Sequence, residues 1–243
     1  MKTRGFSEPK YVGDPINAVK IFNEKSADEL VVVDIDATVL GREPDLRLIK
    51  HLAIECRMPL CYGGGVKSLA HAREIVGLGV EKIALSSGAI ERPTLISDIA
   101  NEIGVQSVVV VVDARSTGTP GGYDVWTHRG SVKTGRSVTD VVLEAQAMGA
   151  GEIVINSIDR DGQMTGYDLE LAEKVKLVCR VPLTILGGAG SLGDIEALIR
   201  RLGVVGAAAG SLFVFKGPYR AVLINYPNAD AKEDISRAAY DYV

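Results

Sequence analysis

Two hydrophobic rhythms alternate along the chain. Short, continuous runs rich in valine and isoleucine, such as "ELVVVDID" at 29–36 and "SVVVVVDAR" at 107–115, are separated by longer stretches whose apolar residues recur at helical spacing. Unbroken β-branched runs mark strands buried on both faces, as parallel sheets require. They predict strands over 29–36 and near 59–62, 81–85, 107–113, 152–157, 181–186 and 204–209. The helical spacing predicts helices over 14–25 and near 44–56, 68–78, 92–103, 137–148, 168–179 and 191–202, with a last one inside "GPYRAVLINY" at 217–226. Asp14 can cap the first of these, and Pro15 suits its first turn.

Strand–helix alternation over 243 residues predicts an α/β fold, a (β/α)8 TIM barrel. The whole chain, 1–243, is expected to form one such domain, with half-barrels about 1–103 and 104–226 and a tail at 227–243. The halves repeat: "VVVDIDAT…CYGGGVKS…ALSSGAI" lies over "IVINSIDRDG…ILGGAGSL…AAGSLF". Gly63 and Gly187 are 124 positions apart, as are Ser87 and Ser211. The second half opens with a strand, whereas the first opens with a helix after "MKTRGFSEPKYVG". The expectation is therefore a barrel without its first strand, either open beside 29–36 or closed there by another segment.

Composition narrows the function classes. With 27 basic and 31 acidic residues and no Lys/Arg-rich run, nucleic acid is not an expected partner. No apolar run is long enough to span a bilayer and no signal-like segment opens the chain, so no membrane partner and a cytoplasmic location are expected. Cys56, Cys61 and Cys179 and the three histidines show no ligand spacing, so reduced thiols and no metal or other cofactor are expected.

Glycines supply the first candidate chemistry. Gly63, Gly64 and Gly65 directly follow a predicted strand, at the end of a barrel where active sites lie. Without a Cβ their N–H groups can approach a bound anion, and Ser86 and Ser87 after the next strand can add hydroxyls. Gly187 and Gly188, with Gly210 and Ser211, repeat the arrangement. Two such grips suit a substrate phosphorylated at both ends, although glycine-rich loops also serve as plain turns.

Carboxylates close several strands: Asp34 and Asp36, Asp113, and Asp159 and Asp161. An acid ending a run of valines belongs at the rim. Asp113 reads as an acid–base group, against the alternative of an ion pair with Arg115 or Arg160. Asp36 reads as a cap or rim ion pair. Glu29, Lys82 and Glu152 directly precede strands, at the opposite mouth, where solvated charges are the default. Trp126 lies in the "GGYDVWTHRGSVKTG" excursion, as a lid residue or a hairpin anchor.

Together, "YGGGVKS", "GAGEIVINSIDRDGQMTGYDL", "GGAGSL" and "AAGSLFVF" resemble the cyclase subunit (HisF-like) of imidazole glycerol phosphate synthase over about residues 2–216. The resemblance implies a lyase-type barrel that takes ammonia from a HisH-like glutamine amidotransferase docked on its bottom face. Ammonia then crosses the barrel to a phosphorylated small molecule at the top. By motif, Asp113 matches a catalytic aspartate. Gly65, Ser87, Asp161, Gly162, Gly188, Gly210 and Ser211 match substrate or phosphate contacts, with Asp34 and Ser86 lining the site. Lys2 matches a lysine on a mobile loop, and Glu29, Lys82 and Glu152 match an ammonia gate.

Some positions depart from the family. Its other catalytic aspartate and the gate's arginine belong to the strand not found here, Asn156 replaces a usual threonine, and Leu186 replaces a serine. "GDPINAVKIFNEK", "INSIDRDG" and "FVFKGPYRAVLINYP" look more like a paralogous branch of surface-polysaccharide clusters, which implies amidination of an acetamido group on a nucleotide-linked sugar. The alternatives are the histidine-biosynthesis cyclase itself, the related phosphoribosyl-formimino isomerase, and a catalytically silent scaffold for the amidotransferase.

Overall fold

The structure is a computed structural model that describes residues 2–217 and 219–237; Met1, Pro218 and the end of the tail, 238–243, lie outside the described residues. The chain opens with a hairpin, β1 (Lys2–Arg4) and β2 (Ser7–Lys10), turned by Gly5 and Phe6 at φ 55° and 63°. The first half continues as α1 (Pro15–Glu24), β3 (Leu30–Val33), α2 (Leu46–Glu55), β4 (Leu60–Gly63), α3 (Leu69–Gly77), β5 (Lys82–Leu85), the short α4 (Ser87–Glu91) and α5 (Thr94–Ile103). The second half brings β6 (Val108–Ser116), a hairpin of β7 (Tyr123–Thr127) and β8 (Val132–Ser137), α6 (Val138–Ala147), β9 (Glu152–Ser157) and α7 (Leu169–Lys176). It ends with β10 (Leu183–Leu186), α8 (Leu192–Leu202), β11 (Gly206–Ala207), α9 (Ser211–Val214), β12 (Phe215–Lys216), β13 (Ala221–Val222) and α10 (Ala229–Arg237).

Seven strands form the parallel sheet expected, in the order β3, β4, β5, β6, β9, β10, β11, with helices between successive strands. Local signals set the helix starts: the side chains of Asp14, Asp45, Ser68, Ser137, Asp168 and Ser191 each accept a hydrogen bond from the first turn of the helix they cap. Alternate strand residues then part to two sides. Leu60, Tyr62, Ile83, Val108, Val110, Ile153 and Ile155 join the large core beneath the helices. Cys61, Ala84, Val109 and Val154, with Val111 and Leu186 against them, form a smaller apolar cluster. The second set faces the lumen.

Among the described residues β3 pairs only with β4 and β11 only with β10, so the sheet keeps two free edges. Val31 and Val33 register with Cys61 and Gly63, yet are 48% and 50% exposed, so the lumen side of β3 is open to water. The carboxy-terminal segment ties the two sides of this seam together. Tyr226 packs on Phe213 with ring centroids 4.8 Å apart and donates its hydroxyl to Asp28, at 2.7 Å. Lys232 donates to the same Asp28, also at 2.7 Å, and α10 lies on α8. Open edge and bridging segment thus coexist.

One predicted helix is absent: the described residues of 217–222 form the turn and second strand of the β12–β13 hairpin, 223–226 have no regular structure, and the last helix begins at Ala229. Gly217 and Arg220 sit at φ 73° and 50°, left-handed positions that a right-handed helix cannot contain. Trp126 is a hairpin anchor: it registers with Asp113 and lies 4.5 Å beneath the Arg115 guanidinium.

Candidate active site

At the carboxyl ends of the strands, Asp113 of β6 stands between Ser86 and Asn156. Ser86 Oγ donates to its Oδ2 at 3.3 Å, and Asn156 Nδ2 donates to its Oδ1 at 2.9 Å. Burial pushes the carboxyl up to about 7; the two hydrogen bonds work against that shift and the negative Asp161 adds to it. No ion pair is made with Arg115, which faces Asp159 at 3.7 Å, or with Arg160, which donates to Thr165. Asp113 is therefore poised to hold or release a proton near neutrality.

The first glycine pair packs tightly against the loop after β3. Gly64 and Gly65 have φ 111° and 71°, and a Cβ on Gly64 would strike the Asp34 carbonyl. Asp34 turns its Oδ1 to the N–H groups of Asp36 and Ala37 at 3.0 and 3.1 Å, so it caps its own loop, with Arg42 at 3.5 Å. Ser87 is buried, and its Oγ accepts the N–H of His128 at 3.2 Å. His128 and Arg129 form the tip of the β7–β8 hairpin, and Arg129 pairs with Asp36, a rim ion pair made with neither Arg115 nor Arg160. The first cradle is roofed by this hairpin, and its two serine hydroxyls are paired.

The second cradle differs. Lys2, Asp161, Gly162, Gly187, Gly188, Gly210 and Ser211 line one cleft together with Leu186. The Lys2 side chain occupies the space a Cβ on Gly210 would need. Burial lowers its pKa, partly offset by Asp161. Asp161 accepts from the Thr3 hydroxyl at 2.5 Å and from the Phe6 N–H at 3.3 Å, which anchors the amino-terminal hairpin over the cleft. Arg220 donates to the Gly162 carbonyl at 2.9 Å. Ser211 Oγ and Asn156 Oδ1 are both buried without a hydrogen-bond partner. Lys2 and the unpaired Ser211 hydroxyl line the cleft, with Arg220 bonded to its Gly162 wall and Asn156 behind its Gly187 wall, a set that suits an anion with further polar groups.

The opposite mouth carries the Glu29–Lys82–Glu152 cluster. Lys82 Nζ lies 3.0 Å from Glu29 and 2.9 Å from Glu152, and the Thr184 hydroxyl donates to Glu152 at 2.8 Å. Burial works against the Lys82 charge, but the bonds to Glu152 and Glu29 outweigh it and hold the ammonium above its ordinary range. Thr3, Thr184 and Arg220 went unread in the sequence, and His128 was read there only as lacking ligand spacing. Only Thr184 carried a signal there, two residues ahead of Leu186 on a strand whose alternate positions face the lumen.

The model of the "Histidine biosynthesis protein" family matches residues 1–219. The chain belongs to this family. A relative from Leptospira borgpetersenii, provisionally named as an imidazole glycerol phosphate synthase subunit HisF, is 55% identical over 96% of the chain and 92% of the relative. One from Vibrio vulnificus, similarly named as subunit hisF3, is 53% identical over 96% of the chain and 90% of its own length. The Exiguobacterium sibiricum protein named imidazole glycerol phosphate synthase subunit HisF is 39% identical over 86% of the chain and 82% of that protein. This chain is accordingly a HisF-like member of the histidine-biosynthesis family. No helix among its described residues is long and apolar enough to cross a membrane.

Proposed function

We propose that this HisF-like chain is a lyase-type synthase subunit that delivers glutamine-derived ammonia to a phosphorylated small molecule. The observation that carries the reading is one lumen with two polar ends. The Glu29–Lys82–Glu152 cluster stands at one mouth and Asp113 with Asn156 at the other, with Cys61, Ala84, Val109 and Val154 between them. An apolar lining favours a neutral nitrogen over an ammonium ion. At the far end Asp113, near neutrality in both protonation states, is suited to take a proton from an attacking nitrogen and return one to a leaving oxygen.

The amidotransferase partner would dock at the mouth that holds Lys82. That end carries exposed apolar side chains: Ile54, Val105, Leu177 and Val204 all stand in or beside the loops that lead into the strands. A groove of Leu143, Leu177, Val178 and Val181 lies between α6 and α7 on the same side. Apolar residues around a polar centre fit an interface more than a solvated rim. At the other mouth, Lys2, Arg220, Gly188, Gly210 and Ser211 would hold a phosphate, and Gly64, Gly65 and Ser87 a second.

For the substrate the reading is the nucleotide-linked sugar of a surface polysaccharide, amidinated at an acetamido group. Asn156 and Leu186 change the polar groups at the reacting end, where hydrogen bonding discriminates most. Identity also falls from 49–57% for four relatives whose HisF names are provisional to 39% and 40% for two named HisF without that qualification. The second reading, the cyclase of histidine biosynthesis, is favoured by the two retained glycine cradles. Ammonia-dependent turnover separates them: the chain is assayed with the bisphosphorylated ribulosyl substrate and, separately, with the acetamido nucleotide sugar. Turnover of the first alone makes it a histidine cyclase; turnover of neither by the folded chain with its amidotransferase sinks both.

A further inference from the structure

Asn156 links the Asp113 carboxylate to the Gly187 loop of the second cradle. It is 8% exposed, at the end of β9 in register with Asp113 on one side and Leu186 on the other. Its Nδ2 is committed to Asp113. Its Oδ1 has no partner, and it lies on the glycine side of the cleft, 3.3 Å from where a Cβ on Gly187 would stand. Gly187 holds φ 99°, and with no Cβ there the oxygen is shut from water yet meets no side chain of that residue. A buried carbonyl oxygen without a partner, beside the cleft that Lys2 enters, is an acceptor awaiting a donor.

We infer that Asn156 is a positioning and specificity residue: its Nδ2 fixes the Asp113 carboxylate while its Oδ1 accepts one O–H or N–H from a molecule held in the second cradle. This rests on the reading of that cradle as an anion site. It adds the requirement that the group next to the anion be a hydrogen-bond donor. A hydroxyl of the phosphorylated substrate and the incoming ammonia both meet that requirement. The two functions are joined through one planar amide, so a donor bound at Oδ1 lies within reach of the acid–base carboxylate.

The test compares the wild type with Asn156→Leu, which keeps the size and removes both polar atoms, and Asn156→Thr, whose hydroxyl can donate or accept. Binding of inorganic phosphate and of ribose 5-phosphate is measured by calorimetry. Where turnover is found, KM for ammonia and for the carbon substrate are measured across pH. Asn156→Leu is expected to bind inorganic phosphate as the wild type does. Its affinity for ribose 5-phosphate, or for ammonia as read by KM, falls about tenfold or more. The first loss assigns Oδ1 to a substrate hydroxyl and the second to the nitrogen. Asn156→Thr should recover most of either loss. The limb of the pH profile that belongs to Asp113 should move upward in Asn156→Leu, because a hydrogen bond to its charged form is gone.

Unchanged binding and KM values in a folded Asn156→Leu overturn the inference, as does a fall in kcat alone with the pH limb in place. A wild type that binds neither phosphate probe overturns the anion reading and the inference with it. A wild type that binds inorganic phosphate yet turns over neither proposed substrate defeats the proposed reaction alone, and the ribose 5-phosphate comparison still decides the role of Asn156.

Discussion

The two glycine cradles share a sequence pattern and differ in physical state. In the first half, Ser87 already accepts a hydrogen bond from His128, and the space beside Gly64 is filled by the loop that carries Asp34. In the second half, Ser211 is buried with no partner, and the side chain in the cleft is the ammonium of Lys2. The difference comes from what covers each cradle. The β7–β8 hairpin brings a backbone donor and closes the first, whereas the amino-terminal hairpin brings a cation and leaves the second short of an acceptor's partner. A repeat in sequence sets similar backbones; the segments laid over it decide which copy keeps an unpaired hydroxyl.

The largest expected effect lies where the two cradles meet. Asp113→Asn should lower turnover by about 10²–10⁴-fold and abolish the limb of the rate profile near pH 7, read as kcat/KM against pH. A variant with the wild-type profile would show that the proton is handled elsewhere.

The same substitution has a stability signature. The folded protein holds the Asp113 proton more tightly than the unfolded chain, whose carboxyl titrates near 3.8. Stability linked to this group is therefore full below about pH 4 and is lost as pH rises through about 7. Asp113→Asn removes that dependence, so it should gain on the wild type by on the order of 4 kcal/mol between pH 4 and 8. Denaturant melts at the two pH values check the sign.

The contrast between cradles is tested more gently by Lys2→Ala and Ser87→Ala. Removing the Lys2 charge should weaken phosphate binding about tenfold, while removing the already bonded Ser87 hydroxyl should change it less than about threefold. Equal losses in calorimetry would mean that the first cradle opens in solution. Arg129→Ala, which unties the roof from Asp36, should have the smallest effect. The pair is partly exposed, so the thermal midpoint should fall by the equivalent of less than about 1 kcal/mol.

Strand order, lumen side and most helix starts were legible because each rests on local chemistry. β-branched runs, alternation and capping residues such as Ser68 and Ser191 act within a few positions. Asp113 was legible as an acid–base candidate because a carboxylate that ends a valine run has few other places to go. Its partners were not, since Ser86 and Asn156 come from the two neighbouring strands. The last helix was misplaced because "AVLINY" is apolar at either spacing, and the left-handed turn at Gly217 and Arg220 is visible only once the hairpin is formed.

By itself, then, the sequence determined the alternation of strands and helices, the twofold repeat, the seven parallel strands and the positions of glycines and acids at their ends. Those features follow from side-chain shape, period and backbone freedom within short windows. Only the tertiary structure decided that Asp161 is held by Thr3, that Lys2 enters the second cradle, that His128 closes the first, and that Asn156 is left with a bare oxygen. These depend on residues distant along the chain meeting at one mouth, where the desolvation and pairing of each polar group are set by its neighbours in space.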